Sequence, residues 1–148
     1  MGAGSLRASV LGLVTVADAH DTAESARGEL MRYLAEAAWY PTALLPSQGV
    51  LWEGIDDVSA RATLNDGATS ITLEFRFGTD GLVEAVWAAS RPRSATESAP
   101  WLCRVSSYGR RAGMYVPLQG EVEWQLPGGP APYFRGRMTH ITYEFAAR

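Results

Sequence analysis

The sequence predicts an α+β fold, a strongly curved antiparallel sheet of about six or seven strands, half-barrel-like, with one N-terminal helix on its apolar face. Three observations predict it. A single stretch carries helical periodicity, the period changes to two from Gly49 onward, and Asp-Gly pairs punctuate the alternating segments.

The helix comes first. Asp21 and Thr22 are residue types that cap a helix N-terminus. Leu30, Tyr33, Leu34 and Ala37 then recur at the spacing of one helix face. Glu29, Arg32 and Glu36 form an adjacent charged stripe able to pair along the surface. Pro41 disfavours helical geometry at Tyr40, so the helix is expected to end near Trp39. Residues 42–46 read as an apolar connector over the core.

The strands follow. Val58, Ala60, Ala62 and Leu64 alternate with polar residues up to the hairpin signal Asp66-Gly67. Ile71, Leu73, Phe75 and Phe77 alternate up to Asp80-Gly81, and a further strand is expected over 82–88. Residues 91–100 read as a loop, 101–108 as a strand, 109–113 as a turn and 116–126 as a strand. Pro127-Gly128-Gly129-Pro130 breaks the chain, and the last strand is expected over 133–145. Short turns make a meander the simplest topology, and no linker or repeat interrupts it, so the whole chain, 1–148, reads as one domain.

Composition excludes several function classes. A formal net charge of −3 argues against general nucleic-acid binding. One cysteine, Cys103, excludes an intrachain disulfide framework, and two histidines exclude a three-histidine metal site within the chain. We expect no metal, no cofactor and no membrane span, since no run approaches the roughly 20 apolar residues that a span needs. Arg7, the apolar run 8–17 and Ala17-Asp18-Ala19 have the outline of a signal peptide. Ser9, Gly12 and Thr15 interrupt the run, so we read it as a strand or packed extended segment and take the cytoplasm as the default compartment.

Several segments together resemble a bacterial family of unknown function, DUF6544. They are Gly28-Glu29-Leu30-Met31-Arg32-Tyr33-Leu34-Ala35-Glu36 continuing through Trp39-Tyr40-Pro41-Thr42-Ala43-Leu44-Leu45-Pro46, then Trp52-Glu53 and Pro100-Trp101. Tyr108, Gly113-Met114-Tyr115-Val116-Pro117, Gly120-Glu121-Val122-Glu123-Trp124 and Tyr133-Phe134-Arg135-Gly136-Arg137 complete the set. The resemblance implies the same fold and carries over no catalytic or ligand residue. It also implies relatives longer at the N-terminus, and hence a sheet edge or apolar face that a second copy could cover in a homodimer. In shape alone the expected fold resembles the half-barrel of periplasmic lipoprotein carriers.

The candidate chemistry rests on few residues. Glu36 lies close to Trp39, where a carboxyl against aromatic walls could act as an acid or base; its alternative is a glutamate paired with Arg32. Glu121 and Glu123 share one strand face and are explained by cross-strand ion pairs. Arg135 and Arg137 fall on the face of Thr139, Ile141 and Tyr143, where a cation would need a carboxylate or a ligand anion. His140 reads as a surface histidine, and Cys103 as inert in the absence of a nucleophile signature. Trp39, Trp52, Trp101 and Trp124, with Tyr133, could build an aromatic wall or simply pack the core.

The leading expectation is a binding domain whose aromatic-lined apolar cavity takes an amphiphilic or lipid-like small molecule, with Arg135 or Arg137 at its polar head and Glu36 at the rim. One alternative is a small cofactor-independent hydrolase or isomerase using Glu36 as acid/base and an arginine as anion stabiliser. A second is a homodimeric assembly module.

Overall fold

The Thr22 side chain accepts a hydrogen bond from the Ser25 amide at 3.1 Å and so starts the helix where the sequence predicted. In the computed structural model, which describes residues 7–8 and 22–145, this helix, α1, spans Ala23–Glu36. Asp21, the expected extended segment 8–17 beyond Ala8, and Ala17-Asp18-Ala19 lie outside the described residues.

The buried face of α1 is Gly28, Met31, Leu34 and Ala35; of the expected stripe, Leu34 and Ala37 are buried and Leu30 packs half-buried against the core. Tyr33 lies on the flank instead, more exposed than buried faces allow, with its ring 5.5 Å from that of Tyr40. Its carbonyl accepts the Tyr40 hydroxyl at 2.7 Å. Met31, Leu34 and Ala35 therefore make the packed face.

α1 stops before Trp39, and the chain continues as tight 3-10 turns over Ala37–Trp39, Pro41–Leu44 and Pro46–Gln48. Proline explains the change, because it removes an amide donor and restricts the residue before it. These turns carry Trp39 and Tyr40 into the core.

Seven strands then form one antiparallel meander in chain order: β2 (Leu51–Asp56), β3 (Ser59–Asp66), β4 (Thr69–Phe77), β5 (Val83–Pro92), β6 (Ser98–Arg111), β7 (Met114–Leu126) and β8 (Gly129–Arg137). A separate two-stranded pair joins β1 (Arg7–Ala8) to β9 (Tyr143–Glu144). The sheet is curved and open rather than closed into a barrel, with α1 laid across β3, β4 and β5. Helix and sheet bury one core between them, centred on Leu34, Ala62, Leu73, Phe75 and Val86.

Three expected segments differ. The turn expected over 109–113 is only Ala112-Gly113, because β6 runs on to Arg111. The loop predicted over 91–100 is much shorter, because β5 continues through Pro92 and β6 begins at Ser98. Pro92 is tolerated where the pairing ends and Pro100 where the β5–β6 register shifts. The strand predicted over 133–145 is split. β8 ends at Arg137, and the chain then turns back so that Ile141 is buried and the Tyr143 hydroxyl donates to the Trp39 carbonyl at 2.6 Å.

The tight turns follow local chemistry. Gly67 takes φ 56° between the paired residues Asp66 and Thr69, and Asp80 accepts the Leu82 amide at 3.0 Å. The β6–β7 hairpin closes on Ala112-Gly113, both with positive φ (47° and 81°). Two positive values are what a type I′ turn requires, and alanine pays for its Cβ there. Ala112→Asn is expected to raise stability by about 0.5–1 kcal/mol, read as a higher urea midpoint with an unchanged slope.

Candidate functional site

Strand alternation would place Ser90, not Arg91, on the helix-facing side after Val86 and Ala88. A β-bulge changes this. Ala88 pairs with Trp101, but the next pair is Arg91 with Ala99, so β5 holds one residue more than β6 between them. The bulge turns the Arg91 side chain inward, beside Trp101 and beneath α1.

A second bulge acts at the far edge. Val122 pairs with Phe134 and Glu123 with Pro132, which leaves Tyr133 as the extra residue of β8. Tyr133 thereby shares the inner side with Trp124, and their rings stack with centroids 5.8 Å apart. Its hydroxyl accepts the Trp101 indole N–H at 2.8 Å. Trp101 and Trp124 are themselves opposite each other on β6 and β7.

The outcome is one cluster. Trp101 is only 3% exposed, whereas Tyr133 is 54% exposed, so an anchored aromatic surface runs from core to solvent. The Arg91 guanidinium lies 4.9 Å from the Trp101 ring centroid and 5.5 Å from that of Trp124. Arg93 lies 5.9 Å from the Trp124 ring centroid, and also pairs with Glu97 at 3.2 Å. Burial pushes the Arg91 pKa below its ordinary value, yet a guanidinium stays charged across the range in which proteins work.

The sequence-predicted residues divide into groups. Trp101, Trp124 and Tyr133 are brought together. Trp52 belongs to the opposite edge strand, where its ring meets Phe75 edge-on at 5.2 Å and its indole N–H donates to the Leu44 carbonyl at 2.9 Å. Trp39 is a core residue, 8% exposed, with its indole N–H donated to the Pro117 carbonyl at 2.8 Å.

Arg135 and Arg137 do not lie on the core-directed side. The bulge at Tyr133 reverses the phase of β8, so Phe134 and Gly136 share a side with Val122 and Gly120 while the arginines face outward. Arg135, with its side chain 82% exposed, pairs with Glu121 at 2.8 Å. Glu123 is paired as well, with Arg104 at 2.9 Å, so the two carboxylates belong to cross-strand ion pairs.

Glu36 accepts from Arg32 Nε at 2.9 Å. Arg137 faces the side of the sheet away from α1, so it and Glu36 are not assembled into a catalytic pair. Cys103 is buried, which with the charge of Glu36 pushes its thiol up to about 12 and keeps it protonated. His140 is exposed. Among the described residues no group of three or more His, Cys, Asp or Glu side chains converges on a metal position. Among them, too, no helix is long and apolar enough to cross a membrane.

Arg91 and Arg93 were missed by sequence reasoning. The local signal is a basic pair, Arg91-Pro92-Arg93, next to a small-residue run, which marks a loop as readily as a bulged strand end.

Fold and cluster together define the class: an α+β domain whose open curved sheet holds an aromatic and cationic patch that starts at Arg91 under the helix and runs out to β8. The chain belongs to a family described as "Family of unknown function (DUF6920)", which it matches over residues 1–143. DUF6544, the family that the sequence segments resemble, is not the one matched; what the match supports of that expectation is a domain of unknown function. No curated protein and no solved structure matches the chain.

Proposed function

We propose that this domain binds an amphiphilic or lipid-like small molecule, the apolar part of which lies against Trp101, Trp124 and Tyr133. The observation that carries the reading is the state of Tyr133. A large aromatic ring is held by stacking and by a hydrogen bond, yet it remains 54% exposed. Anchored aromatic surface that continues from the core to solvent is what an apolar ligand needs: contact area without an ordering cost.

The sheet supports the reading through its shape. α1 crosses β3, β4 and β5, while Trp124 and Tyr133 belong to β7 and β8, beyond the strands the helix crosses. An enzyme reading built on Glu36 has no comparable support, because its carboxylate is engaged by Arg32 and the expected arginine partner faces the other way.

Tryptophan fluorescence tests the proposal, since two indoles belong to the patch. Titration with laurate below its micelle concentration is expected to quench or shift the emission saturably. Trp124→Ala and Tyr133→Ala are each expected to weaken binding about tenfold, whereas Trp87→Phe, opposite Leu102 on the outer side, leaves it unchanged. Native mass spectrometry of the purified protein would read any retained ligand and the number of copies together. A chain that shows no saturable response to laurate, dodecyl phosphate or dodecanol is not such a binder.

A further inference from the structure

Among the described residues, Arg91 is a half-buried cation without a counter-ion. No carboxylate lies within ion-pair distance of it among the described residues. One of its N–H groups donates to the Gly28 carbonyl at a long 3.4 Å. Its Nε is shielded from solvent and has no acceptor among the described residues. Buried polar groups are paired in the great majority of cases, and an unpaired cation is costlier than an unpaired amide. The Trp101 and Trp124 faces offset only part of that cost.

The neighbouring carboxylates do not supply the missing partner. Glu29 and Glu36 are the helix acids whose charge reaches Arg91, and Arg32 already engages both, at 3.9 Å and 2.9 Å. The backbone invests in this placement nonetheless, since a bulge in β5 is what turns Arg91 inward. Arg93, two residues on and 5.9 Å from the same Trp124 ring, adds a second guanidinium at the more exposed end, one that Glu97 partly neutralises at 3.2 Å.

Building on the binding reading above, we propose that the ligand's polar head is an oxyanion, a carboxylate or a phosphate monoester, that accepts hydrogen bonds from Arg91 beside the Trp101–Trp124 pair, with Arg93 as the outer cation. A guanidinium presents a planar fork that matches either group. The aromatic surface at Tyr133 then runs away from the head along the apolar chain.

Three twelve-carbon probes separate the head group from the chain: laurate, dodecyl phosphate and dodecanol, titrated against the intact protein by tryptophan fluorescence. At least one anionic probe is expected to bind about tenfold or more tightly than dodecanol, as hydrogen bonds to a charged group allow. Arg91→Gln is expected to abolish that preference while leaving dodecanol binding within about twofold. Arg91→Lys, which keeps the charge and loses the fork, is expected to restore part of it. The tighter of the two anions tells carboxylate from phosphate. Equal binding of all three probes by the wild-type protein overturns the head-group assignment and leaves the binding reading standing. A preference that survives in both Arg91→Gln and Arg93→Gln overturns it too. Binding of none of the probes overturns both. Should Arg91→Gln lose its native circular dichroism, Arg93→Gln at the exposed end decides, with a loss of preference of about threefold expected and no loss counting against the proposal.

Discussion

Replacing Trp39 by alanine is expected to destabilise the domain by about 3–5 kcal/mol. Trp39 connects the chain's most distant parts. It follows α1 in a 3-10 turn, donates to the Pro117 carbonyl of β7, and offers its own carbonyl to the Tyr143 hydroxyl. Its six-membered ring lies directly on Gly120, where a Cβ would come within 3.0 Å of two ring carbons. Truncation therefore removes apolar contact area and leaves a buried carbonyl without its donor, and the two losses act together. Urea unfolding followed by circular dichroism measures the effect. With total stabilities of about 5–15 kcal/mol, a loss of this size leaves a marginal protein at best.

The contact with Gly120 provides an internal control. Gly120→Ala alone is expected to cost about 1–3 kcal/mol, because the indole must shift in a close-packed core. In a Trp39→Leu background, whose side chain lacks the two ring atoms, the same change should cost less. A double-mutant cycle reads the difference as coupling of about 0.5–3 kcal/mol. Strict additivity would mean that Trp39 does not rest on Gly120.

Phe75→Ala is expected to have an effect of the same order, about 3–5 kcal/mol, for a different reason. Phe75 is 0% exposed on β4, near the middle of the sheet, opposite Ala60 on one side and Val86 on the other. α1 lies across this strand, and Trp52 meets the ring edge-on at 5.2 Å. No hydrogen bond is at stake, so the whole cost is lost transfer free energy plus an unfilled space between helix and sheet. Phe75→Leu keeps most of the volume and is expected to cost about 1–2 kcal/mol. Thermal and urea unfolding of both variants would check the order, and a loss under about 1 kcal/mol for the alanine would show that the core closes over the gap.

The helix and the meander were legible because their signals are local. Thr22 caps its own helix, Asp80 satisfies an amide two residues on, and period-two alternation in β3 and β4 needs no knowledge of neighbouring strands. The helix phase was less legible. Tyr33 and Met31 are both apolar enough to face a core, and only packing against β4 decides that Met31 and Ala35 go in while Tyr33 goes to the flank. The aromatic residues of the patch could also be named, since Trp101, Trp124 and Tyr133 were candidates on residue type alone.

The cations of that patch were not legible, and the same physical fact explains both errors. Arg135 and Arg137 were placed on the inner side by counting from Thr139, Ile141 and Tyr143, across the end of β8 at Arg137, and Arg91 was left in a loop. Counting by twos is valid only while the register is unbroken, and a bulge reverses the side of every residue beyond it. The residue string by itself determined the element order, the hairpin turns and the residue types that fill the core, since each depends on neighbours within a few positions. The tertiary structure alone decided which arginines meet the tryptophans. That choice rests on two bulges, at Arg91 and at Tyr133, set by pairing between strands and by what α1 leaves room for beneath it.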